Sequence, residues 1–349
     1  MNKLISFLVV IMFLISSCKK EDFSSVSDEF RVRHANADIP VYVYGNNSEK
    51  IFIIFIHGGP GDSGYANRAG KAASELEKRY VMVYYDQRGQ GMSEGKYNSE
   101  DISIDIMAED LHALVQVLKH KYGDDSKIFL LGHSWGGTLG TAYLLKNNYQ
   151  NEINGWIEAD GSHDFPKINI DAIKMFIKIG NEQIALNNHK EKWMEIVSWA
   201  QQIDTSYINR DMIIEINSQA HYVENYLLED NVIQKPAKKT MRDLSVFYSQ
   251  NTITRIFSGY YTFMGNDKFF DDVVNNSFTP ELHNITIPCL FLWGKYDFTV
   301  PPTLGDDAYN RVNTTDKKIV IFDKSGHSPM LNQAGDFVDE VIDFIEMYK

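Results

Sequence analysis

The chain has 349 residues, two cysteines and a formal net charge of −13, from 34 basic and 47 acidic residues. Its length fits one large α/β domain or about two average domains, and its 44% hydrophobic and 23% charged residues are typical of a globular protein rather than a disordered or fibrous one. The acidic balance excludes nucleic acid as the expected partner, because binding phosphates requires a basic surface. Two cysteines are too few for a disulfide-stapled scaffold, which a chain of this length does not need.

The first residues have the pattern of a secretory signal. Lys3 precedes a run at residues 4–15 that is apolar except for Ser6 and is too short to cross about 30 Å of hydrocarbon as a helix. The sequence ISSC at residues 15–18 follows and resembles a bacterial lipobox. This resemblance implies cleavage before Cys18, lipidation of Cys18 and a lipid anchor in the bacterial cell envelope, at the outer membrane or cell surface. An ordinary signal peptide with an incidental cysteine is the alternative.

Glycine usage then separates two kinds of region. Fifteen of the 23 glycines lie between Gly58 and Gly161, and none lies between Gly180 and Gly259. The first region predicts strands and helices joined by tight turns, and the second predicts helices. Continuous apolar runs predict strands covered on both faces at residues 51–56, 81–85, 128–131, 289–293 and 319–322, and residues 155–159 are a further short strand candidate. Two half-buried strands are predicted at residues 30–34 and 41–44. Strands that alternate with helices predict an α/β fold with a mostly parallel central sheet.

These patterns give a domain organisation in which a helical insert interrupts the sheet. The predicted parts are a signal peptide at 1–17, a lipid-anchored tether at 18–27, a core at 28–161 and 284–349, and a helical cap at 162–283. Parallel sheets place ligand sites at the carboxyl ends of their middle strands. The cap follows those strands, and we therefore expect it to cover the site as a lid.

The strongest chemical signal is the sequence GHSWG at residues 132–136, between a predicted strand and a predicted helix at residues 138–146. In that context G-x-S-x-G predicts a nucleophile elbow. A direct turn from strand to helix strains the serine backbone, and glycines two positions on either side remove the collisions that side chains would cause. Ser134 is the predicted nucleophile, and the amide of Trp135, at a helix N-terminus, is a predicted oxyanion donor. A purely structural turn is the alternative.

A second signal, HGGPG at residues 57–61, directly follows the predicted strand at 51–56. A tetrahedral oxyanion takes two donors, and glycine lets a backbone N–H approach the reacting carbonyl closely. We assign the second donor to Gly59, with Gly58 as the rival. His57 is expected to hold the loop.

A serine nucleophile needs a general base, and the base needs an orienting acid. In this class of sheet the chain order is serine, acid, histidine. Of the ten histidines, His327 lies late in the chain, beyond the predicted strand at 319–322, and it is the predicted base. Asp297 follows the strand at 289–293 and is the predicted acid. Asp160, at the end of a neighbouring strand, is the rival.

No cofactor and no metal are predicted. The sequence contains neither an H-E-x-x-H zinc motif nor a G-K-[ST] phosphate loop. Cys289 lies in an apolar run and is expected to be an inert core thiol.

Together these residues resemble the α/β-hydrolase fold and, within it, the proline iminopeptidase family of serine peptidases. The resemblance covers about residues 28–349, with the insert similar only as a helical cap. It rests on HGGPG at 57–61, DQRGQGMS at 86–93, GHSWGG at 132–137, and Asp297 and His327 in that order. It implies release of an N-terminal residue, often proline, from a peptide through an acyl-enzyme on Ser134. Arg88 is expected to pair with a carboxylate and fix the loop beside the site.

Selectivity for a free N-terminus needs a carboxylate that pairs with the substrate ammonium, because a buried unpaired charge is costly. In the family such acids come from the cap. The candidates in this sequence are Glu182, Glu195, Glu215, Glu224 and Glu229, each of which also fits a solvated helix face. The expected substrate is a peptide or a small acyl compound. An esterase or other acyl hydrolase is the second hypothesis, because the core motifs do not separate amide from ester cleavage. A non-catalytic envelope binding protein is the third.

Overall fold

The computed structural model describes residues 24–249, 257–258 and 260–349. The predicted signal peptide at 1–17 and Cys18 lie outside these residues, as does most of the predicted tether. Across the described ranges, no helix is both long enough and apolar enough to cross a membrane.

Nine strands within the described residues form one sheet. In chain order they are β1 Ser25–His34, β2 Ala37–Asn46, β3 Ile51–Ile56, β4 Val81–Tyr85, β5 Glu94–Gly95, β6 Lys127–His133, β7 Gly155–Ala159, β8 Cys289–Gly294 and β9 Lys317–Phe322. The strand order is β1-β2-β4-β3-β6-β7-β8-β9, with β5 paired to β2. β2 is antiparallel to its neighbours, and all the other pairs are parallel. The predicted α/β-hydrolase fold, with its mostly parallel central sheet, is confirmed.

Helices cover both faces of this sheet. Within the described residues they are α1 Lys71–Arg79, α2 Ile104–Tyr122, α3 Trp135–Leu145, α4 Phe165–Ala185, α5 Lys190–Ala200, α6 Arg210–Glu229, α7 Met241–Ser249, α8 Asp267–Val274, α9 Thr303–Arg311, α10 Pro329–Asn332 and α11 Ala334–Tyr348. One apolar cluster packs α2, α3 and α9 on one face, and a second packs α1 and α11 on the other. All six residues of β3 are apolar and buried, as expected for a strand covered on both faces.

Helices α4 to α8 lie between β7 and β8 and form the cap. Asp164 begins α4, because its side chain accepts a hydrogen bond from the amide of Lys167 at 3.0 Å. The cap has its own apolar cluster, and Phe298 from the core loop after β8 belongs to it. The Phe298 ring stacks on Phe176 of α4 with a centroid separation of 5.0 Å. The cap is therefore packed onto the core loop that follows β8.

The edge strand β1 begins earlier in the chain than the sequence patterns predict. β1 begins at Ser25, which pairs with Asn46, so the strand starts three residues before the predicted core boundary at 28. Polar residues at the start of an exposed edge strand do not produce the apolar alternation on which the prediction depended. The two-residue strand β5 was not predicted, because it is too short to show a pattern.

Candidate active site

The sharp turn between β6 and α3 holds Ser134 in a left-handed conformation, with φ +56° and ψ −122°. The two flanking glycines are required by the backbone packing. A Cβ on Gly136 would lie 2.0 Å from the carbonyl oxygen of Ile56, and a Cβ on Gly132 would lie 2.4 Å from the carbonyl oxygen of Gly136. The geometry is that of a nucleophile elbow, which stores local strain at a functional position.

The structure brings together the three residues that the sequence predicts as nucleophile, base and acid. Ser134 Oγ lies 2.9 Å from His327 Nε2. His327 Nδ1 lies 2.8 Å from Asp297 Oδ2. With Nδ1–H donating to the carboxylate, Nε2 is the acceptor for the serine hydroxyl, which is the arrangement that a general base requires.

Asp297 lies in the loop after β8 and is fully buried. Its Oδ1 accepts hydrogen bonds from the amides of Thr299 at 2.9 Å and Val300 at 2.8 Å. Burial raises the pKa of Asp297, and the amide of Val300 opposes this shift. The two amides fix the carboxylate and leave Oδ2 for His327.

The rival acid, Asp160, lies next to this pair rather than on the imidazole. Its Oδ1 accepts a hydrogen bond from the amide of Gly294 at 2.9 Å, and the residue is fully buried. Burial and the neighbouring Asp297 raise the pKa of Asp160 well above its ordinary range. Because Asp297 accepts three hydrogen bonds and Asp160 accepts one, we place the negative charge on Asp297 and a proton on Asp160.

His327 is a neutral base in this environment. Burial lowers its pKa to about 4, and the charge of Glu224 in the cap acts in the opposite direction. The neighbouring His133 ring also has its pKa lowered, to about 3, mainly by burial. His133 Nε2 lies 2.8 Å from the carbonyl oxygen of His327, so the neutral ring donates to that carbonyl and holds the loop in place.

Within the described residues, His133, Asp160 and His327 are the side chains with metal-ligand spacing, since one donor atom from each lies within 4.8 Å of the others. Three of the four nitrogens of these two histidines already take part in the hydrogen bonds to Ser134, Asp297 and the His327 carbonyl. An ion at this position would have to replace those bonds.

The loop after β3 packs directly on the elbow. A Cβ on Gly58 would lie 3.2 Å from the Cβ of Ser134, and both Gly58 and Gly59 line the pocket above the serine. His57 is buried and structural, as predicted from the sequence. Its Nδ1 lies 2.8 Å from the carbonyl oxygen of Gly58, and its Nε2 accepts a hydrogen bond from the amide of Gln87 at 3.2 Å.

The next segment, DQRG at residues 86–89, is scaffold. Arg88 is fully buried, and its Nε and Nη2 donate to the two carboxylate oxygens of Asp110 at 2.8 and 2.7 Å. The carboxylate partner expected for Arg88 is therefore Asp110 on α2. Gln87 links this segment to the elbow, because its Oε1 accepts from the indole of Trp135 at 2.7 Å.

A cavity of about 640 Å³ opens above Ser134 between the core and the cap. A cavity of this volume is in the range of small-molecule and peptide sites. Most of its walls are apolar. The core contributes Val300 and Leu331, and the cap contributes Phe165, Ile168, Ile213, Phe263, Phe270 and Val274. The pocket therefore suits a substrate with an apolar group near its reacting carbonyl.

None of the five glutamates proposed from the sequence lies among the described residues that line this pocket. Glu182 and Glu215 are exposed. Glu195 pairs with Lys192, and Glu229 pairs with His189. Glu224 lies nearest to the site, where its carboxylate would lie 2.5 Å from a Cβ placed on Gly326. It contacts the loop of the base rather than the cavity.

Sequence reasoning missed two features of the site. Asp62 lines the pocket, and its position directly after HGGPG was the available signal. Phe298 joins the Asp297 loop to the cap, and no local pattern marks that long-range contact.

Comparisons with known proteins agree with this geometry. A family model described as the alpha/beta hydrolase fold matches residues 51–197. A proline iminopeptidase of Saccharolobus solfataricus is 27% identical over 296 residues, which are 84% of this chain and 84% of that protein. Among solved structures, a proline iminopeptidase of Mycobacterium smegmatis superimposes with a TM-score of 0.63 at 16% identity, covering 92% of this chain and 98% of that one. An esterase of Exiguobacterium antarcticum gives 0.57 at 16% identity, covering 91% and 100%.

Fold and sequence together define this protein as a hydrolase of the α/β-hydrolase superfamily. Along 84% of its length the chain is similar to two proline iminopeptidases, at 27% and 26% identity.

Proposed function

We propose that this protein is a serine hydrolase that works through an acyl-enzyme. The observation that carries the proposal is the continuous hydrogen-bonded chain from Ser134 through His327 to Asp297 at the floor of the pocket. A neutral imidazole that accepts a hydrogen bond from the serine hydroxyl can take the hydroxyl proton as a general base. The buried carboxylate stabilises the imidazolium that forms.

The proposed steps conserve protons. Ser134 Oγ attacks the substrate carbonyl while its proton passes to His327 Nε2. The amides of Trp135 and Gly59 donate to the resulting oxyanion. Collapse expels the leaving group, which takes the proton from His327, and leaves an ester on Ser134. Water then attacks this ester and gives a proton to His327 Nε2. The bond between the acyl carbon and Ser134 Oγ breaks, His327 returns the proton to Oγ, and the acid product leaves.

We further propose that the preferred substrate is a peptide with a free N-terminal residue of the proline type. Support comes from relatives named as proline iminopeptidases, at 27% and 26% identity over 84% of this chain. The apolar walls of the pocket suit an uncharged ring beside the reacting carbonyl. The test compares proline β-naphthylamide with its N-acetylated form and with p-nitrophenyl acetate. Equal turnover of the free and blocked amides would exclude the exopeptidase.

An esterase or other small-molecule acyl hydrolase is the second candidate. It is favoured by a specific observation, since none of the cap glutamates named above lies among the described pocket residues. In the same assay an esterase would hydrolyse p-nitrophenyl acetate and leave both proline amides intact.

Labelling separates either hydrolase from a non-catalytic binding protein. A fluorophosphonate should label the wild-type protein at Ser134, whereas Ser134→Ala should remain unlabelled. Absence of labelling in the folded wild-type protein would contradict the catalytic proposal itself.

We also propose that the mature protein is lipid-anchored through Cys18 in the bacterial envelope. The support is the lipobox-like sequence at residues 15–18. Metabolic labelling with a palmitate analogue should mark the wild-type chain in membranes, and Cys18→Ser should abolish both the label and the membrane association.

A further inference from the structure

The proposed acid Asp297 has a second carboxyl group beside it that the proposed mechanism does not use. Asp160 and Asp297 are both fully buried, and their side chains lie within hydrogen-bonding reach of each other. Asp160 is also close to the base, since one of its carboxyl oxygens lies within 4.8 Å of a ring nitrogen of His327. Two neighbouring carboxyl groups do not both ionise in an enclosed site, because like charges repel strongly where water is excluded. This pair therefore holds one proton.

The end of β7 fixes the position of Asp160. Its backbone is left-handed, with φ +47°, a conformation that aspartate adopts more readily than most residues. Its amide donates to the carbonyl oxygen of Leu292 at 2.9 Å, and its Oδ1 accepts from the amide of Gly294 at 2.9 Å. Both partners belong to β8, and the loop after β8 carries Asp297. Asp160 is thus bound to the strand that positions the acid.

The second carboxyl oxygen of Asp160 lacks a donor. Oδ2 is buried, and no described residue donates a hydrogen bond to it. A buried carboxylate oxygen without a donor is costly, whereas a protonated oxygen is itself a donor. Since Oδ1 already accepts from Gly294, the proton of the pair belongs on Oδ2 of Asp160.

Asp297 has one accepting position left for that donor. An ionised carboxylate has about two accepting positions on each oxygen. The amides of Thr299 and Val300 fill those on Oδ1, and His327 Nδ1–H fills one on Oδ2. The remaining position is therefore on Oδ2, next to the bond that orients the imidazole.

We propose that Asp160 is a positioning residue whose protonated carboxyl group donates a hydrogen bond to Asp297 Oδ2. This inference rests on the proposed serine hydrolase function. Asp297 then has a donor at every accepting position, so Oδ2 stays aligned with His327 Nδ1 while the imidazole gains and loses the serine proton. The added donor also favours the ionised form of Asp297, so the proton of the imidazolium stays on His327 instead of moving to the acid.

The test compares Asp160→Asn with Asp160→Ala in the hydrolysis of p-nitrophenyl butyrate. Asparagine keeps an oxygen for Gly294 and offers an N–H to Asp297, so kcat should stay within about threefold of the wild-type value. Alanine has no donor, and kcat should fall about 10- to 100-fold with KM little changed, because a hydrogen bond to a charged group is lost. Asn231→Ala is the matched control. It places alanine on an exposed left-handed backbone, with φ +57°, and should change neither constant.

Infrared difference spectroscopy detects the proton itself and does not depend on turnover. Near neutral pH, the wild-type spectrum minus that of Asp160→Asn should contain the band of a protonated carboxyl group. Burial also raises the pKa of Glu224, but any band from Glu224 is present in both proteins and cancels.

The outcomes separate the inference from the proposed function. If the folded wild-type protein neither reacts with a fluorophosphonate nor hydrolyses the ester, the function fails, and the positioning role fails with it. If the wild-type protein is active but Asp160→Asn loses as much kcat as Asp160→Ala, the function stands and the inference is overturned. Absence of the infrared band, or wild-type kcat in Asp160→Ala, overturns it equally. Should Asp160→Ala fail to fold, Asp160→Leu, which fills the space without a donor, takes its place in the comparison.

Discussion

The pKa of His327 sets the lowest pH at which the enzyme should be active. The imidazole is enclosed by Ser134, Asp297 and Asp160 of the core, by the His133 ring and by Glu224 of the cap. Burial dominates these influences and lowers its pKa to about 4. A general base acts only when neutral, so activity is present above this pKa and is lost as the pH falls through it.

The magnitude follows from the titration. At pH 5.5 an imidazole with a pKa of about 4 is about 97% neutral, whereas one at the ordinary value of about 6.5 is only about 9% neutral. The negative charge that we place on Asp297 acts against burial, so we expect kcat/KM for p-nitrophenyl butyrate at pH 5.5 to fall less than tenfold from its value at pH 7.5. The uncharged ester is the right substrate, because its own protonation does not change in this range.

The assay is a set of initial rates between pH 4 and pH 8, with circular dichroism at each pH. Circular dichroism is needed to detect acid unfolding, because His327 and His133 have lowered pKa values in the folded state. Each neutral, buried imidazole therefore lowers the free energy of unfolding once the pH drops below about 6.5, where the unfolded chain binds a proton. This loss continues down to about pH 4 for His327 and about pH 3 for His133. A tenfold fall in kcat/KM between pH 7.5 and 5.5 with unchanged circular dichroism would refute the reasoning. In Glu224→Gln the acid limb should not move to higher pH, because the glutamate charge raises the pKa of His327.

Four substitutions test other parts of the site. Asp160→Asn should keep the fold and most of kcat, since Asp160 carries a proton, whereas Asp297→Asn should lower kcat by about 10⁴. Gly136→Ala should prevent formation of the elbow and abolish labelling of Ser134, because the added carbon would lie 2.0 Å from a backbone carbonyl. Asp110→Asn should cost about 3–5 kcal/mol in urea unfolding, since it leaves a buried guanidinium without its anion.

Each of these substitutions has a control variant or a result that would contradict the expectation. Asp125→Asn removes an exposed partner of Lys50 and should cost less than about 1 kcal/mol, in contrast to Asp110→Asn. A loss of activity in Asp160→Asn as large as that in Asp297→Asn would mean that Asp160 holds the charge. Normal labelling in Gly136→Ala would show that the strand-to-helix turn tolerates a Cβ.

The three residues of the proposed triad could be found from the sequence because their constraints are local. The spacing of Gly132 and Gly136 around Ser134 reports a backbone collision that the structure measures directly. Asp297 and His327 each follow a recognisable apolar strand, and parallel strands bring their carboxyl ends to one edge. Chain order and strand position were therefore sufficient to bring three distant residues together.

The recognition residues could not be predicted in the same way. The pocket wall combines segments that are far apart, such as Phe165 of α4 and Phe270 of α8, and helical spacing shows only that each is apolar. The cap glutamates were chosen because they carry charge, but charge on a helix does not indicate which face meets the cavity. Asp62 lies beside the most recognisable loop of the chain, yet only the tertiary arrangement shows that it lines the pocket.

The contacts between cap and core indicate that the cap is more than a cover over the site. Phe298 directly follows the proposed acid and packs into the apolar cluster of the cap against Phe176 and Trp193, with centroid separations of 5.0 and 5.9 Å. Glu224 of the cap contacts the loop that carries His327. The loops that carry Asp297 and His327 thus both contact cap residues. Because these contacts join the cap to the loops of the proposed acid and base, we expect substitutions at Phe298 and Glu224 to change the activity as well as the substrate preference.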